Sequence, residues 1–531
     1  MVTAHKYRKQ SLILILCTVL VLCGGNIFNA RAAPLEFTHG VASGDVTSTT
    51  AVLWTRTDES APIKLEITSR DNFDPPDFRY STTTSETNDF TAKITATNLK
   101  PNTPYHYRWT AGNASSEVGM FITAPFDDQA AAIHFSWSGD TDPSNNGSSY
   151  YFGHWNAFQS ALSERPQFFI YLGDTIYSDN RGNNGTVPSF PKVNELPEFR
   201  GLYKDARDVT ALHKLLSKNS IYALWDDNEV MNDWAGQTIK TTDKTRYDFG
   251  KQSFDEYMPI QDPWSASDPV CAGPTQFRVK HWGLNADIII LDTRSCRSAE
   301  ATKNCFNPTT KLPDIAPTIP GPIRENMSLK KDPPAGCLEA IKDPSRTLLG
   351  PTQKSMFKNA LLESKAKFKF VITSVNIQQT YGNPYDRWEG YDAERSEILN
   401  FIKDNLIKNV IFLSTDSHQN LMNEVFIDQF IASTPIAYEF VTGPVGALTE
   451  EKNLKALSTY YHHDFLTDKK FALTRVVNAD CGNLDKFSYG TVDITPNGLL
   501  KITLKDENKV PITDELHPGG PPCAKTFHPV P

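Results

Sequence analysis

Four stretches of this sequence run from apolar residues straight into carboxylates. Ile133-His134-Phe135-Ser136-Trp137 leads into Ser138-Gly139-Asp140-Thr141-Asp142, and Phe168-Phe169-Ile170-Tyr171-Leu172 into Gly173-Asp174-Thr175-Ile176-Tyr177. Ile221-Tyr222-Ala223-Leu224-Trp225 leads into Asp226-Asp227-Asn228-Glu229, and Val410-Ile411-Phe412-Leu413 into Ser414-Thr415-Asp416-Ser417-His418. Two further runs end in Asp292-Thr293-Arg294 and at Asn376. The runs have the composition of buried strands, and open α/β sheets gather their ligands at the carboxyl ends of the strands. If these strands are neighbours, at least four carboxylates converge. Like charges that close cannot all stay ionised, and each is costly to bury unpaired, so a cation belongs among them. Oxygen ligands with one imidazole and a tyrosine suit hard or borderline metals. Any one of these aspartates alone would read rather as a helix N-cap; four such ends with Gly-Asp and Asp-x-His patterns favour a metal site. Two metals about 3.5–4 Å apart activate a water and clamp a phosphoryl group.

The elements that must position these residues follow from the same alternation. From Ala131 onward, apolar strand-like runs alternate with helical patterns near 149–163, 206–217, 244–257, 351–366 and 393–408. That grammar predicts a layered α/β core over residues 127–505, with 506–531 as a C-terminal tail. Residues 34–126 carry strand signals at short intervals, as in Ala51-Val52-Leu53-Trp54-Thr55 and Ile63-Lys64-Leu65-Glu66-Ile67, without a helix. They predict a small all-β sandwich of the fibronectin type III kind. Leu99 to Trp109 would supply its corner, with Tyr105 as the corner tyrosine, and Ala124-Pro125-Phe126-Asp127-Asp128 the linker.

With 39% apolar, 22% charged and 11% aromatic residues in 531, the composition is globular, which excludes a disordered, collagenous or coiled-coil chain. The first 33 residues carry Lys6, Arg8, Lys9 and Arg31 and no acid. Setting those four aside from the 53 basic residues leaves 49 against 62 acidic. Such a chain is no nucleic-acid-coating protein. Basic residues before the apolar run Ser11 to Cys23, then Ala30-Arg31-Ala32, read as a secretory signal peptide over 1–33. The run is too short to span a membrane, and no later segment reads as an anchor. Mature protein would be secreted, periplasmic or at the cell surface. Cys271, Cys296, Cys305, Cys337, Cys481 and Cys523 remain, an even number compatible with up to three disulfides. Six cysteines allow 15 connectivities, and spacing does not choose among them.

Several of these motifs resemble a known family. Phe37-Thr38-His39-Gly40-Val41-Ala42-Ser43-Gly44-Asp45, followed by Val52-Leu53-Trp54-Thr55-Arg56, resembles the opening of the alkaline phosphatase D family. Gly173 to Tyr177, Trp225 to Glu229 with Asn232-Asp233, Leu291 to Arg294, Trp388-Glu389-Gly390-Tyr391 with Glu394-Arg395, and Leu413 to His418 extend the likeness in order over 36–500. The resemblance implies a calcineurin-like metallophosphoesterase core behind the β-sandwich, two or more metal ions including iron and calcium, and hydrolysis of small phosphomonoesters or phosphodiesters. It implies Asp140 and Asp174 at a first metal with Tyr177 as phenolate, Asp174 as bridge, and Asp227 at the second. Asp416 and His418 would complete the ligands, with Asn376 a weaker candidate and Arg294 a phosphate contact. Two positions depart from the pattern. The family often reads Ser-Cys-x-Asp where this chain has Gly139-Asp140-Thr141-Asp142. It usually has histidine where this chain has Asn228, which donates a hydrogen bond but transfers no proton at neutral pH.

Two rival functions use the same residues. One is a phosphodiesterase or phospholipase acting on lipid or wall polymer. The other is a surface binding protein with a degenerate site, for which Asn228 speaks and the intact carboxylate set speaks against. Among the remaining histidines, His134 reads as a core residue, His154 and His281 as helix-face and strand residues, and His462-His463-Asp464 as an alternative imidazole source from a loop.

Overall fold

The computed structural model describes residues 34–144, 151–179, 192–261, 270–307, 312–327, 329–381, 384–431, 434–477 and 479–528. The leader expected over 1–33 lies outside them. Among the described residues no helix is long and apolar enough to cross a membrane.

Alternation within single strands explains the layering. In Phe168–Leu172, Phe168, Ile170 and Leu172 pack into a cluster that also holds Ile288, Phe370, Ile372, Ile411 and Leu413. Phe169 and Tyr171 face the other way, onto Phe158, Leu202, Leu215 and Phe254 of the helices. Successive strand side chains point to opposite faces, so a strand apolar at every position must be covered on both. The second sheet repeats the pattern: Ile289, Val371 and Phe412 meet Phe357, Leu361, Ile398 and Leu399. Two sheets therefore pack face to face, with Phe135 edge-on to Phe370 at 5.2 Å, and helices cover both outer faces.

Among the described residues the first sheet has nine strands: Ala524–Phe527, Leu500–Asp506, Ser488–Ile494, Ile133–Ser138, Phe168–Leu172, Ser220–Leu224, Phe37–Gly44, Ala51–Thr57 and Thr91–Ala96 in spatial order. Its middle pairs Ile133–Ser138, Phe168–Leu172, Ser220–Leu224 and Phe37–Gly44 in parallel. The second has seven, with Ala286–Ile290, Phe368–Ile372, Val410–Ser414 and Ala437–Val441 parallel. All six strand runs expected from the sequence are present, and the fold is the α/β layered core behind an all-β sandwich. The helix expected at 206–217 is two, Leu196–Asp208 and Thr210–Lys218, because buried Val209 between them has an extended backbone. The helix expected near 149–163 runs only over Asn156–Ser163, preceded by Trp155 at φ 53°.

The sandwich packs Val41, Leu53 and Ala96 against Ile63, Leu65, Tyr107 and Trp109. Tyr105 Oη accepts from Lys100 N at 2.9 Å, the corner contact its position predicts. One of its sheets is not separate. Phe37–Gly44 pairs with Ser220–Leu224, Ser43 opposite Ser220 and Gly44 opposite Ile221, so sandwich and core share one continuous sheet. Residues from Leu35 onward form one compact unit. The stretch expected as a tail, 506–531, differs too: Ala524–Phe527 closes the edge of the first sheet and buried Cys523 is bonded to Cys481. The other bridges are Cys271–Cys296 and Cys305–Cys337, each joining sequence neighbours among the six cysteines.

Candidate metal centre

Parallel strands put their carboxyl ends on one edge, and the aspartates stand there. Asp140, Asp174, Asp416 and His418 all have left-handed backbones, with φ of 58°, 48°, 64° and 50°. Asp and His tolerate that region better than most residues, and such conformations cluster where function requires them. Gly173, at φ 72°, precedes Asp174 because a Cβ there would stand 2.7 Å from Asp226 Cβ.

Three groups of ligand atoms lie within 4.8 Å of one another: Asp140, Asp174 and His418; Asp174, Asp226 and Asp227; Asp227, Asp233 and Asp386. Asp174 belongs to the first two and Asp227 to the last two, so the groups form one chain of charge. Burial first, then Asp227, Asp226, Glu229 and Asp140, push the Asp174 carboxyl well above the usual range. Burial likewise raises Asp140 to about 6 despite His418, and Asp227 to about 6 despite Arg294. Burial and then Asp174 and Asp140 push the Tyr177 phenol far up. A phenolate there requires an added positive charge.

The donor set fits metal ions. His418 Nδ1–H donates to Leu448 O at 2.5 Å, which leaves Nε2 as the bare nitrogen, 3.1 Å from Tyr177 Oη. Among the described residues, Asp140 Oδ1 and Asp226 Oδ2 are buried without a hydrogen-bond partner, as are both amide atoms of Asn376. Buried polar atoms are ordinarily paired, and acceptors left bare beside three carboxylate groups match a cation's needs. Thr415 Oγ1 donates to Asp140, and Asn228 Nδ2 to both Asp174 at 2.7 Å and Asp227 at 3.0 Å.

Of the residues expected from sequence, Asp140, Asp174, Tyr177, Asp227, Asn228 and His418 come together. Asp416 joins none of the three groups but lies in the field of the same cluster, since burial and then Asp226, Asp386 and Asp227 push its carboxyl well above the usual range; it is 3.9 Å from Arg387 Nε. Arg294, expected at the phosphate, is 0% exposed. It donates to Asp226 at 2.6 Å and grips Asp386 with two bonds at 2.7 and 2.6 Å. Arg297 also binds Asp386, and together the arginines hold that carboxyl below its ordinary value against the effect of burial. His463 pairs with Asp468 at 2.6 Å and is in none of the groups. His134 is half-buried and pairs with Asp493, and His281 with Asp287. Asp226, Asp233 and Asp386 were not assigned from sequence. Asp226 and Asp233 lie in the motifs Trp225 to Glu229 and Asn232-Asp233; Asp386 follows no apolar run.

Face-to-face sheets with a carboxylate and imidazole cluster on their shared edge define a metal-dependent phosphatase. Residues 144–501 match the PhoD-like phosphatase family and residues 24–125 its N-terminal domain, so the chain belongs to the PhoD-like phosphatase family. It is similar to alkaline phosphatase D of Bacillus subtilis (strain 168), 25% identical over 439 residues, 76% of this chain and 68% of that protein. Its fold is similar to the solved PhoD structure, with a TM-score of 0.72 and 21% identity over 93% of this chain and 89% of that one. It is also similar to purple acid phosphatase PPD1 from yellow lupin (Lupinus luteus) seeds, with a TM-score of 0.52 and 9% identity over 92% and 74%.

Proposed function

We propose that this chain is an exported binuclear phosphoesterase that hydrolyses small phosphomonoesters or phosphodiesters to release phosphate. The observation that carries this reading is Asp174, a carboxylate shared by two ligand groups whose pKa is raised by burial and then by its like-charged neighbours. Asp140, Asp174, Tyr177 and His418 would hold one ion and Asp174, Asp226 and Asp227 the other, with iron and calcium as the metals the family resemblance implies. Bound ions supply charge at the phosphoryl oxygens and lower the pKa of a water. The chain's own residues set the stage for that. Asn228 fixes Asp174 and Asp227 relative to each other. Arg294 ties Asp226 to Asp386, and Leu448 sets the His418 tautomer. Three bridges among six cysteines support export, because disulfides persist in oxidising compartments.

The test is elemental analysis of purified protein beside a panel of monoesters and diesters. About two metal ions per chain and turnover that chelation abolishes are expected. Full activity in a preparation without stoichiometric metal would refute the proposal. If Tyr177 binds ferric iron as a phenolate, a visible charge-transfer band should be present and be lost in Tyr177→Phe. A colourless, iron-free, fully active enzyme would reject iron but leave two metals standing.

A further inference from the structure

A cavity of about 280 Å³ adjoins the metal centre. Two contacts fix it there. Arg387, on its wall, reaches within 3.9 Å of Asp416, and Glu450, also on the wall, donates its backbone N–H to His418 O at 2.9 Å. Most of the wall is apolar, from Leu312, Ile315, Met327, Leu454, Leu457 and Phe465. Into this lining the helix Phe465–Phe471 brings Lys469, 4% exposed, whose ammonium has no hydrogen-bond partner among the described residues. The Tyr381 hydroxyl on the same wall has none either.

An unpartnered buried ammonium costs far more than a paired one, and proteins ordinarily pair such charges. Glu450 and Asp468 share the cavity, but Asp468 is engaged by His463 at 2.6 Å and no hydrogen bond joins Glu450 to Lys469. Arg387 adds a second positive charge on the side facing the metal centre. Apolar walls suit the carbon skeleton of a ligand, and a few polar groups fix its orientation. The geometry points to a substrate subsite: the cavity takes the organic part of a phosphate ester that is apolar and carries a second anionic group, which Lys469 receives. This rests on the phosphoesterase reading above and adds to it the class of ester. Lys469 is here a specificity residue that binds the organic part of the ester.

Binding can be measured apart from turnover. The probes are para-tolylphosphonate and para-carboxymethylphenylphosphonate, which differ by one carboxylate and are not hydrolysed. Calorimetry on the metal-loaded protein should give the carboxylated probe an affinity about tenfold or more higher, in line with a buried charge pair. Lys469→Met, which keeps the apolar stem, should erase that preference while leaving the tolyl probe within about twofold. Lys469→Gln should do the same and serves if Lys469→Met does not fold. No preference in the wild type, or an equal loss for both probes in the variants, overturns the subsite. The matching pair of aryl phosphates separates this from the parent reading. A binding preference with neither ester hydrolysed would leave the subsite standing and remove the phosphoesterase. Hydrolysis of both esters with no binding preference would do the reverse.

Discussion

Asp174 carries more of the site than any other side chain, because its carboxylate serves two ligand groups and accepts from both the backbone and the side chain of Asn228. Asp174→Asn should lower kcat/KM by about three orders of magnitude or more, since charge stabilisation by the bound ions is a large share of the rate. Metal content should fall with it. Asp142→Asn should lose much less: Asp142 accepts from Ser144 N at 2.9 Å and from its hydroxyl, as a turn cap does. Equal small losses in the two variants, read by steady-state kinetics and elemental analysis, would reject the metal assignment. Asn228 makes a different prediction. Its amide nitrogen is fixed on two carboxylates and has no proton to give a leaving group. Rates should therefore fall steeply as the leaving group becomes more basic. Asn228→His should speed alkyl esters, up to about 10²-fold, the low end of general acid catalysis, and aryl esters little. A graded ester series checks this, and an unchanged slope would show that the proton comes from elsewhere. Local sequence marks Asp174 and Asn228 because each lies in the short polar segment just after an apolar strand, Phe168–Leu172 and Ser220–Leu224. Asp386 left no such trace. It lies in the turn Pro384–Asp386, and its partner Arg294 is 92 residues away in the chain. Only the fold joins them.

At the scale of elements, the strands were legible because being covered on both faces makes them apolar throughout, as in Phe168–Leu172 and Ala286–Ile290. Pairing between distant strands was not legible. Nothing local in Phe37–Gly44 says that it lies parallel to Ser220–Leu224, and nothing in the Pro-rich end of the chain announces the strand Ala524–Phe527. That last strand lies beyond a bridge whose two cysteines are 42 residues apart. Cys523→Ala should cost about 2–4 kcal/mol, the usual worth of a disulfide, as read by chemical denaturation of the oxidised protein. Activity at low temperature should be nearly kept, because neither Cys481 nor Cys523 belongs to the ligand groups. Loss of metal content in the folded variant would instead mean that this edge of the sheet holds the centre in place.

The whole molecule concentrates negative charge where water is excluded, and this gives its stability a distinctive dependence on pH. Burial raises Asp140 and Asp227 from 3.8 to about 6, and Glu229 from 4.5 to about 7. A carboxyl whose pKa is higher in the folded state binds more protons folded than unfolded, so its contribution falls as pH rises from the unfolded value to the folded one. Asp386 has the opposite sign. Held down by Arg294 and Arg297 against burial, it contributes stability above its ordinary value of 3.8 and loses it as pH drops below. The carboxyls of the centre should therefore contribute most to the stability of the metal-free protein near pH 4 to 5, and progressively less up to about pH 7. Bound cations reverse the cost of the ionised carboxylates and stabilise the folded state by mass action. The loaded protein should then hold its Tm across the same window, and the gap between loaded and chelated samples should widen as pH rises. Comparing the two cancels every titrating group outside the centre. Parallel Tm curves with and without chelator between pH 4 and 7 would mean that these carboxylates hold no metal. A gap that closes as pH falls toward 4 is the behaviour of a site in which protons and metal ions compete for the same carboxylates.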